Sequence, residues 1–550
     1  MSTVTYSTDQ IIDTRAFGPS VRVAVIGCGP RGSYCLESLL RQIKANGGSG
    51  DIEITIFEPS KFPGAGIVYD PRQPHYLRMN LAAGQIDFWS LDNDKHAKNR
   101  RHLSLLRWLD KHHPQHAYAD AYVPRAVVGE YLHECYQTTI EELSKYCHVE
   151  RVTQKVNDLR RERATWVVTT EEQRQVFDEV VITVGHEGLR CSGRVGVTGS
   201  ASCDTPVSSF PFSSLSGDRA KLSGDVFVTG FGLTAIDSVL SLTEGRGGKF
   251  LRNGNRLCYV PQGNEPNRIH LVSRSGRPML AKPTEKVEPI DDSFWDPYRE
   301  QLGELRQQVG QIDFRRQLWP IVCQSAAALL NRNGIDESGA SVGDWFRRWG
   351  RYSMNHSLAV RAMITSWLVA TAQRPYDAPA ALGTAWRTLY PQMVTLISHG
   401  GLIPKSWPAY SRTAAEMERI AFGPPAESIE KVVTLARQGI LRCSCQRDEP
   451  TPSSENVIAV LAKPNEPEEN GLIDKLVQQG YLQHDPMTGA IAVDEEGRAD
   501  APRGTKNLAV FGRCTEGIII GNDTLSRSLH PHLERWAATM ITRRSRPVTF

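Results

Sequence analysis

Two glycine-rich turns are the features of this chain whose residue types and spacing could do chemistry. The first, Gly27-Cys28-Gly29-Pro30-Arg31-Gly32, follows the apolar run 21–26 and precedes a helical pattern. In such a unit Gly27 lets the chain turn, Gly29 lets the backbone approach a pyrophosphate, and Gly32 lets the helix pack on the strand. The N-terminus of the helix then faces the phosphates with unpaired amides. We therefore expect Gly27, Gly29, Pro30 and Gly32 to bind a dinucleotide.

An acidic residue after the next strand supports this prediction. Glu58 follows the apolar segment 52–57, at a place where a carboxylate accepts hydrogen bonds from ribose hydroxyl groups. Its spacing from Gly32 exceeds the usual value of about 20 residues, and the glycine-containing loop 46–50 accounts for the excess. The alternative is a glycine-rich turn in an α/β sheet that binds no ligand, but strand, glycines, helix and acid agree in favouring a cofactor.

The second turn repeats the pattern in the second half of the chain. Its members are Gly230, Gly232 and Ala235, with Thr234 beside them. Alanine is accepted at the third position because only close packing of the helix is required there. We expect these four residues to contact a second dinucleotide.

The strand that follows the second turn distinguishes the two sites. It is delayed by a segment whose Asn253-Gly254 pair predicts an inserted β-hairpin. It then ends at Arg274 instead of an acid. An arginine binds a 2′-phosphate through charge-assisted hydrogen bonds, and Arg277 could assist. This pattern therefore predicts that the second site binds NADPH. The alternative is that Arg274 is a solvated arginine at the end of a strand.

Two different dinucleotides in one chain imply a relay in which NADPH delivers hydride and FAD accepts it. The segment 177–188, an apolar strand followed by Gly185, is typical of the point where the chain leaves an FAD domain, with an ordinary core strand as the alternative. The chain returns near its C-terminus with a strand over 507–511, Gly512 and a helix beginning near Asp523. An acid there contacts FAD or simply caps the helix.

The predicted fold class is α/β, with two Rossmann-type dinucleotide-binding domains and an inserted helical subdomain. The first part of the FAD domain covers 20–215, the NADPH domain 222–460, and the return 470–550. The insertion, about 292–442, has apolar residues at spacings of three and four. It could cover the substrate site or equally form an oligomerisation surface.

Composition restricts the partners of the chain. It has 550 residues, 40% hydrophobic and 23% charged, with a net charge of +3. This balance gives no electrostatic case for nucleic acid or a membrane surface. We find no secretory signal and no run of about 20 apolar residues, and the 11 cysteines are sparse and irregularly spaced. The expected location is therefore the cytoplasm.

Several motifs together identify a family. The segments "GCGPRG", "HYLRMNLAAGQIDFW" and "VPRAVVGEYL", with "GFGLTAID", "LVSRSGRP" and "IGNDTLSRSLHP", resemble those of FAD/NAD(P)-binding, flavin-dependent N-monooxygenases. Members of this family include enzymes that oxidise the amino group of aspartate to nitrosuccinate. The resemblance implies an FAD- and NADPH-dependent monooxygenase. Through a flavin hydroperoxide, it would oxidise the nitrogen of a small amino acid or amine.

The resemblance also implies which residues lie near the chemistry. Asn80 and Gln85 would lie near the isoalloxazine ring or, alternatively, stabilise their loop. Arg78, Arg125 and Arg527 could bind substrate carboxylates, although each is singly a candidate for a structural or solvated arginine. We expect no catalytic triad, since a positioned amine and the exclusion of water are the main requirements.

Other chemistries are disfavoured or left open. A thiol–disulfide reductase needs a cysteine pair, but Cys28 and Cys35 form no C-x-x-C. Cys443 and Cys445 lack further zinc ligands, and the polar loop with three histidines at 112–116 does not predict a metal site. An NADPH oxidase, an electron-transfer reductase and a non-catalytic sensor would share the nucleotide motifs. Homo-oligomerisation is also left open.

Overall fold

The structure is a computed structural model. It describes residues 11–12, 20–47, 51–89, 101–185, 207–208, 212–216, 224–283, 290–446, 457–459, 471–503, 506–522, 525 and 527–544. The strands are β1 Ile11–Ile12, β2 Val21–Ile26, β3 Ile52–Phe57, β4 His148–Val152, β5 Asp158–Glu162, β6 Thr165–Thr169, β7 Arg174–Phe177, β8 Glu179–Ile182, β9 Val207–Ser208, β10 Asp225–Thr229, β11 Lys249–Asn253, β12 Arg256–Val260, β13 Arg268–Ser273, β14 Leu441–Cys445, β15 Val457–Ala459 and β16 Leu508–Val510.

The helices lie between and around these strands. They are α1 Pro30–Ala45, α2 Leu105–His112, α3 Arg125–Leu143, α4 Ser213–Ser216, α5 Leu233–Leu242, α6 Asp296–Glu304, α7 Trp319–Arg332, α8 Gly339–Arg351, α9 His356–Ala370, α10 Ala378–Ile397, α11 Trp407–Ala421, α12 Ala426–Arg437, α13 Leu472–Gln478 and α14 His532–Arg544.

The first sheet is parallel and has the order β16-β8-β2-β3-β4. Its central strand β2 is an apolar run whose last four residues are buried, as expected for a strand covered on both faces. β8 and β16 flank one side of β2, so the strand before Gly185 and the C-terminal return lie in one sheet. The antiparallel strands β5, β6 and β7 form a separate layer, to which β1 adds in parallel.

The second sheet is also parallel, with the order β14-β13-β10-β15-β9. β10 lies in the middle, followed by the second glycine turn and α5. The predicted hairpin is confirmed, because β11 and β12 pair antiparallel with Asn253 opposite Arg256. Gly254, at the turn, has a φ of +57°, which suits the first central residue of a type II′ turn.

The predicted helical insertion is confirmed, but its helices pack in two places. α6, α7, α8, α10 and α11 share a core that includes Phe314, Met393 and the buried Trp386. α9 and α12 instead bury residues such as Met363 and Val432 against the second sheet. The fold class predicted from the sequence, two Rossmann-type sheets and an inserted helical unit, is therefore the one observed.

The insertion also contacts the C-terminal return. Ile520 packs into the core of the helical insertion, and its backbone N–H donates to Ser398 Oγ at 3.1 Å. The His399 N–H donates to the carbonyl oxygen of Ile518 at 2.7 Å. The insertion thus bridges the return of the first sheet and the helices of the second.

The start of the last helix differs from the prediction. Asp523 lies outside the described residues, and the helix that follows, α14, begins only at His532. Pro531 precedes it and disfavours a helical conformation at His530, while Arg527–Leu529 form a 3₁₀ turn. Among the helices in the described ranges, none has both the length and the apolar composition needed to cross a membrane.

Candidate active site

The first glycine turn is packed tightly between β2, β8 and α1. Gly27 has a φ of +83°, and a Cβ there would lie 2.9 Å from the carbonyl oxygen of Thr183. A Cβ on Gly32 would lie 2.6 Å from the Gly27 carbonyl oxygen and 2.8 Å from Thr183 Oγ1. Glycine is required at Gly27 by both conformation and space, and at Gly32 by space. The turn therefore brings the N-terminus of α1 directly onto the end of β2.

A second glycine faces the turn from outside. A Cβ on Gly29 would lie 3.5 Å from the Cα of Gly66, and a Cβ on Gly66 would lie 3.4 Å from the Cα of Gly29. Side chains at either position would fill the narrow space at the N-terminus of α1. Pro30 occupies the first turn of that helix, where its missing N–H costs nothing. Backbone surfaces are thus exposed to a ligand where a pyrophosphate is expected.

Glu58 lies at the same turn. Its side chain is buried, and it accepts hydrogen bonds from the Cys28 N–H at 2.6 Å and the Ser60 N–H at 2.8 Å. These two amides fix the carboxylate between the first glycine turn and the end of β3. Each oxygen keeps lone pairs for further donors, as a ribose site requires.

The C-terminal return closes the first site from the side of β16. Gly512, with a φ of +103°, follows β16, and its carbonyl oxygen accepts from Asn522 Nδ2 at 3.0 Å. Asn522 Oδ1 is buried and has no hydrogen-bond partner among the described residues. Arg31 Nη2 donates to the Asn522 carbonyl oxygen at 3.0 Å, which joins the return to the first turn. Gly185, with a φ of +69°, follows β8 on the same side.

These observations fit FAD. The glycine turn gives a cradle that side chains would fill, Glu58 lies beside that turn at the end of β3, where a ribose is expected, and Asn522 leaves an orphaned acceptor in the return. The sequence singled out Asp523 and missed Asn522, because a buried amide without a partner has no local sequence signal.

The second turn has the same backbone conformation in a more open setting. Gly230 has a φ of +112°, and its N–H donates to the Val272 carbonyl oxygen at 2.7 Å. No atom lies within 4 Å of a Cβ placed on Gly232, which precedes α5. Thr234 lies in the first turn of α5, and Ala235 is fully buried, as close helix packing requires.

Three arginines lie close to the second turn. Arg274 follows β13 and is exposed, so its guanidinium is available to a 2′-phosphate. Arg277 is instead buried and forms two hydrogen bonds with Glu416, at 2.7 and 2.9 Å, so the expectation that it assists Arg274 is corrected. Arg419 Nη1 donates to the Arg277 carbonyl oxygen at 3.1 Å and approaches that of Phe231 at 3.4 Å. Sequence reasoning missed Arg419, which lies on α11 far along the chain.

The segment 76–80 lies between the two sheets. Tyr76 donates to Ser241 Oγ on α5 at 3.2 Å, and Arg78 forms an ion pair of 2.5 Å with Glu427 on α12. Asn80 Nδ2 donates to the Phe422 carbonyl oxygen at 3.1 Å. Asn80 therefore lies at the junction between the first domain and the insertion, whereas Gln85 is exposed.

Two arginines considered for substrate binding have other partners. Arg125 is buried in an ion pair with Asp237 of α5, with 2.5 Å between Nη1 and Oδ2. Arg527 pairs with Glu37 and also donates to Ser38 Oγ and to the Phe88 carbonyl oxygen, both at 2.8 Å. Both are structural arginines, which is the alternative that the sequence offered for each, because buried guanidinium groups need several acceptors and these obtain them within the protein.

A buried lysine that sequence reasoning missed lies beside Asn80. Lys282 is 3% exposed, its ammonium group donates to the Asn80 carbonyl oxygen, and it lies 5.8 Å from the centre of the Tyr122 ring. Burial and the charge of Arg387 lower the pKa of Lys282 to about 7, against the opposing effect of Glu418. A single lysine between apolar residues and a proline gives no sequence signal of this environment.

Thiol and metal chemistry find no support in these residues. Burial raises the pKa of Cys28 and of Cys35 well above the ordinary value for a thiol, so neither is a reactive thiolate. His113 pairs with Glu130 at 2.9 Å, and His112 stacks on Trp108. In the described part of the chain, no group of three or more His, Cys, Asp or Glu side chains is arranged to hold a metal ion.

The fold places two glycine turns at the ends of strands in two parallel sheets, as dinucleotide-binding folds do. A family model agrees for the part of the chain that contains the first turn. Residues 24–187 match the family model described as FAD-NAD(P)-binding. The chain is 25% identical over 509 residues to an L-aspartate N-monooxygenase (nitrosuccinate-forming) of Streptomyces davaonensis, covering 76% of each chain. It is 25% identical over 493 residues to the nitrosuccinic acid synthase npaA of Aspergillus oryzae, covering 76% of this chain and 72% of the relative.

A solved structure is also similar along almost the whole chain. The L-lysine 6-monooxygenase from Pseudomonas syringae has 13% identity and a TM-score of 0.43, covering 96% of this chain and 100% of that one. The resemblance to nitrosuccinate-forming N-monooxygenases that the motifs predicted is confirmed by the two curated relatives, and the FAD-NAD(P)-binding character by the family model.

Proposed function

We propose that this protein is an FAD-containing, NADPH-dependent monooxygenase that oxidises the amino nitrogen of a small amino acid, with the conversion of aspartate to nitrosuccinate as the leading candidate. The observation that carries the proposal is the pair of glycine turns on two parallel sheets, one with Glu58 and the other with Arg274. The printed activities of the two curated relatives, which cover 76% of the chain, support the choice of aspartate.

FAD, when bound, supplies hydride acceptance from NADPH and the activation of dioxygen for transfer of one oxygen atom to the amine. The residues of this chain would bind, orient and shield the reactants. Gly29 and the N-terminus of α1 would hold the pyrophosphate of FAD, Glu58 its ribose, and Asn522 a donor group of the cofactor. Arg274 would select NADPH over NADH by binding the 2′-phosphate.

The insertion would exclude water from the junction. Phe422 and Tyr390 pack against each other, with ring centres 5.3 Å apart. A Cβ on Gly521 of the return would lie 2.9 Å from Tyr390 Cε1. Asn80 reaches the same region through its hydrogen bond to Phe422. Aromatic groups thus cover the side of the junction where an amine would have to be held away from solvent.

The partners of the proposed reaction are an amino acid and dioxygen. A cytoplasmic location, which the sparse and irregularly spaced cysteines favour, is part of the proposal. The homo-oligomer suggested by the helical insertion stays a prediction.

The test is a product analysis. The purified, FAD-loaded protein is mixed with NADPH and air-saturated buffer, with and without L-aspartate, and NADPH, dioxygen, hydrogen peroxide and N-oxidised products are measured. We expect aspartate to accelerate NADPH use and nitrosuccinate to appear. Hydrogen peroxide as the sole product, at a rate that no amino acid changes, would refute the proposal in favour of an oxidase. Release of electrons only to an added acceptor would favour a reductase.

A further inference from the structure

Lys282 differs from four buried arginines of the protein. Among the described residues, four arginines are buried with 3% to 8% of their surface exposed, and each has a carboxylate partner within ion-pair distance. The pairs are Arg125 with Asp237, Arg277 with Glu416, Arg498 with Glu179 and Arg527 with Glu37. Within the described part of the chain, Lys282 has no carboxylate within 4 Å and hydrogen-bonds only to the Asn80 carbonyl oxygen.

A second cation stands close enough to act on it. Arg387 of α10 donates to the Ala421 carbonyl oxygen at 2.7 Å and to Thr384 Oγ1 at 3.0 Å. It too has no carboxylate within 4 Å among the described residues. Burial lowers the pKa of Arg387, and its charge lowers that of Lys282. Two positive groups are therefore held near each other in a poorly solvated place, which is unfavourable unless a negative charge joins them.

The position of the pair fits a ligand of the junction. Lys282 contacts Asn80 and lies near Tyr122, both from the first domain. Arg387 lies one helical turn before Tyr390, which meets Gly521 in the C-terminal return. The two cations thus come from the NADPH half and from the insertion, and they meet beside elements of the FAD half.

We propose that Lys282 and Arg387 form a carboxylate-binding subsite that selects a dicarboxylic amino acid as the substrate. The inference rests on the proposed function, since it concerns the same site. A monocarboxylic acid supplies one negative charge to this place, whereas a dicarboxylic acid supplies one for Arg387 and a second that favours the protonated form of Lys282. The two cations would orient the carbon chain and leave the amino group free for oxidation.

Binding of a carboxylate to this subsite should change the number of protons bound to the protein. Lys282 is largely neutral above about pH 7, and a bound carboxylate favours the protonated ammonium group. Binding at pH 8 should therefore take up a proton. The charged groups that act on Lys282 are Arg387, which lowers its pKa, and Glu418, which raises it.

The experiment is calorimetric titration of the FAD-loaded protein, saturated with NADP⁺, at pH 8. The probes are L-aspartate and L-aspartic acid diamide, each in two buffers with different heats of ionisation. We expect wild type to bind L-aspartate at least a hundredfold more tightly than the diamide, with uptake of close to one proton. Lys282→Met should weaken L-aspartate binding at least tenfold and abolish the uptake. The exposed control Lys405→Met should change neither.

The outcomes separate the subsite from the proposed function. If Lys282→Met binds L-aspartate as tightly as wild type, or if wild type binds the diamide equally well, the subsite is refuted even when nitrosuccinate forms. If binding depends on Lys282 and takes up a proton but no N-oxidised product appears, the subsite stands and the monooxygenase proposal fails. Because methionine removes an unpaired buried charge, Lys282→Met should fold at least as stably as wild type, so weakened binding cannot be attributed to unfolding.

Discussion

The buried ammonium group of Lys282 should make the free energy of unfolding of this protein rise with pH between its folded-state pKa and its ordinary pKa. The folded-state pKa is about 7, against 10.5 for an ordinary lysine side chain. Between these two values the unfolded chain binds the proton and the folded chain releases it. Unfolding therefore takes up a proton, and the free energy of unfolding rises with pH across this interval.

The size of the effect follows from the same two values. A change from 10.5 to about 7, at about 1.4 kcal/mol for each tenfold change in proton affinity, corresponds to about 5 kcal/mol in total. Between pH 7 and pH 9 the part gained is about 2 kcal/mol. Below pH 7 the full cost is present, because Lys282 is then charged in both states.

The assay compares wild type with Lys282→Met by urea unfolding at pH 7, 8 and 9, followed by tryptophan fluorescence. Methionine keeps the length of the side chain and removes the charge. We expect Lys282→Met to be the more stable protein at pH 7 and its advantage to shrink by about 2 kcal/mol at pH 9. Lys405→Met changes an exposed lysine, so its free energy of unfolding should change with pH in parallel with that of wild type. A constant difference between wild type and Lys282→Met would refute the reasoning, since Lys282 would then titrate alike in both states.

Three further substitutions test the other parts of the site. Arg274→Ala should raise the NADPH concentration needed for half-maximal flavin reduction at least tenfold, worth about 1.4 kcal/mol, with little effect on NADH; equal effects in stopped-flow reduction would rule out the 2′-phosphate role. Gly32→Val should yield protein with little FAD, because even a Cβ would lie 2.6 Å from the Gly27 carbonyl oxygen; a normal ratio of flavin to protein absorbance would contradict this. Arg125→Met should lower the free energy of unfolding by about 3–5 kcal/mol, because Asp237 is left buried and unpaired; adding Asp237→Leu should restore most of the loss in urea unfolding, and no restoration would argue against a simple pair.

The dinucleotide-binding architecture was predictable because its signals are local. A strand buried on both faces reads as an apolar run, and a turn with positive φ needs glycine within a few residues of it. Strands β2, β3, β10 and β13 were found from such apolar runs and turns. The hairpin was found from its Asn-Gly pair, and the helical insertion from apolar residues at spacings of three and four. The places where helices begin were less certain. The start of α14 depends on Pro531 and on how the preceding residues pack, and periodicity alone does not locate it.

The roles of the charged residues were not predictable, because their partners lie far along the chain. Asp237 is 112 residues from Arg125, and Glu37 lies near the opposite end of the chain from Arg527. Nothing near either arginine in sequence indicates which carboxylate it meets. The same limit hid Arg419, which reaches the second glycine turn from α11.

From residue type alone, arginines were the candidates for binding the carboxylates of the substrate. In the structure, burial and the absence of an internal carboxylate partner favour Lys282 instead. A guanidinium group presents five donors and is well suited to a carboxylate, which made Arg125 and Arg527 reasonable candidates. Once folded, each already has a carboxylate, so a substrate would have to displace an internal partner at a cost of several kcal/mol. Lys282 has no such partner among the described residues, so a carboxylate brought by a ligand adds an interaction without breaking one. Among the described residues, Arg125, Arg277, Arg498 and Arg527 are already paired with internal carboxylates. Lys282 and Arg387, which have no carboxylate within 4 Å there, are therefore better placed than these arginines to bind an anion from outside.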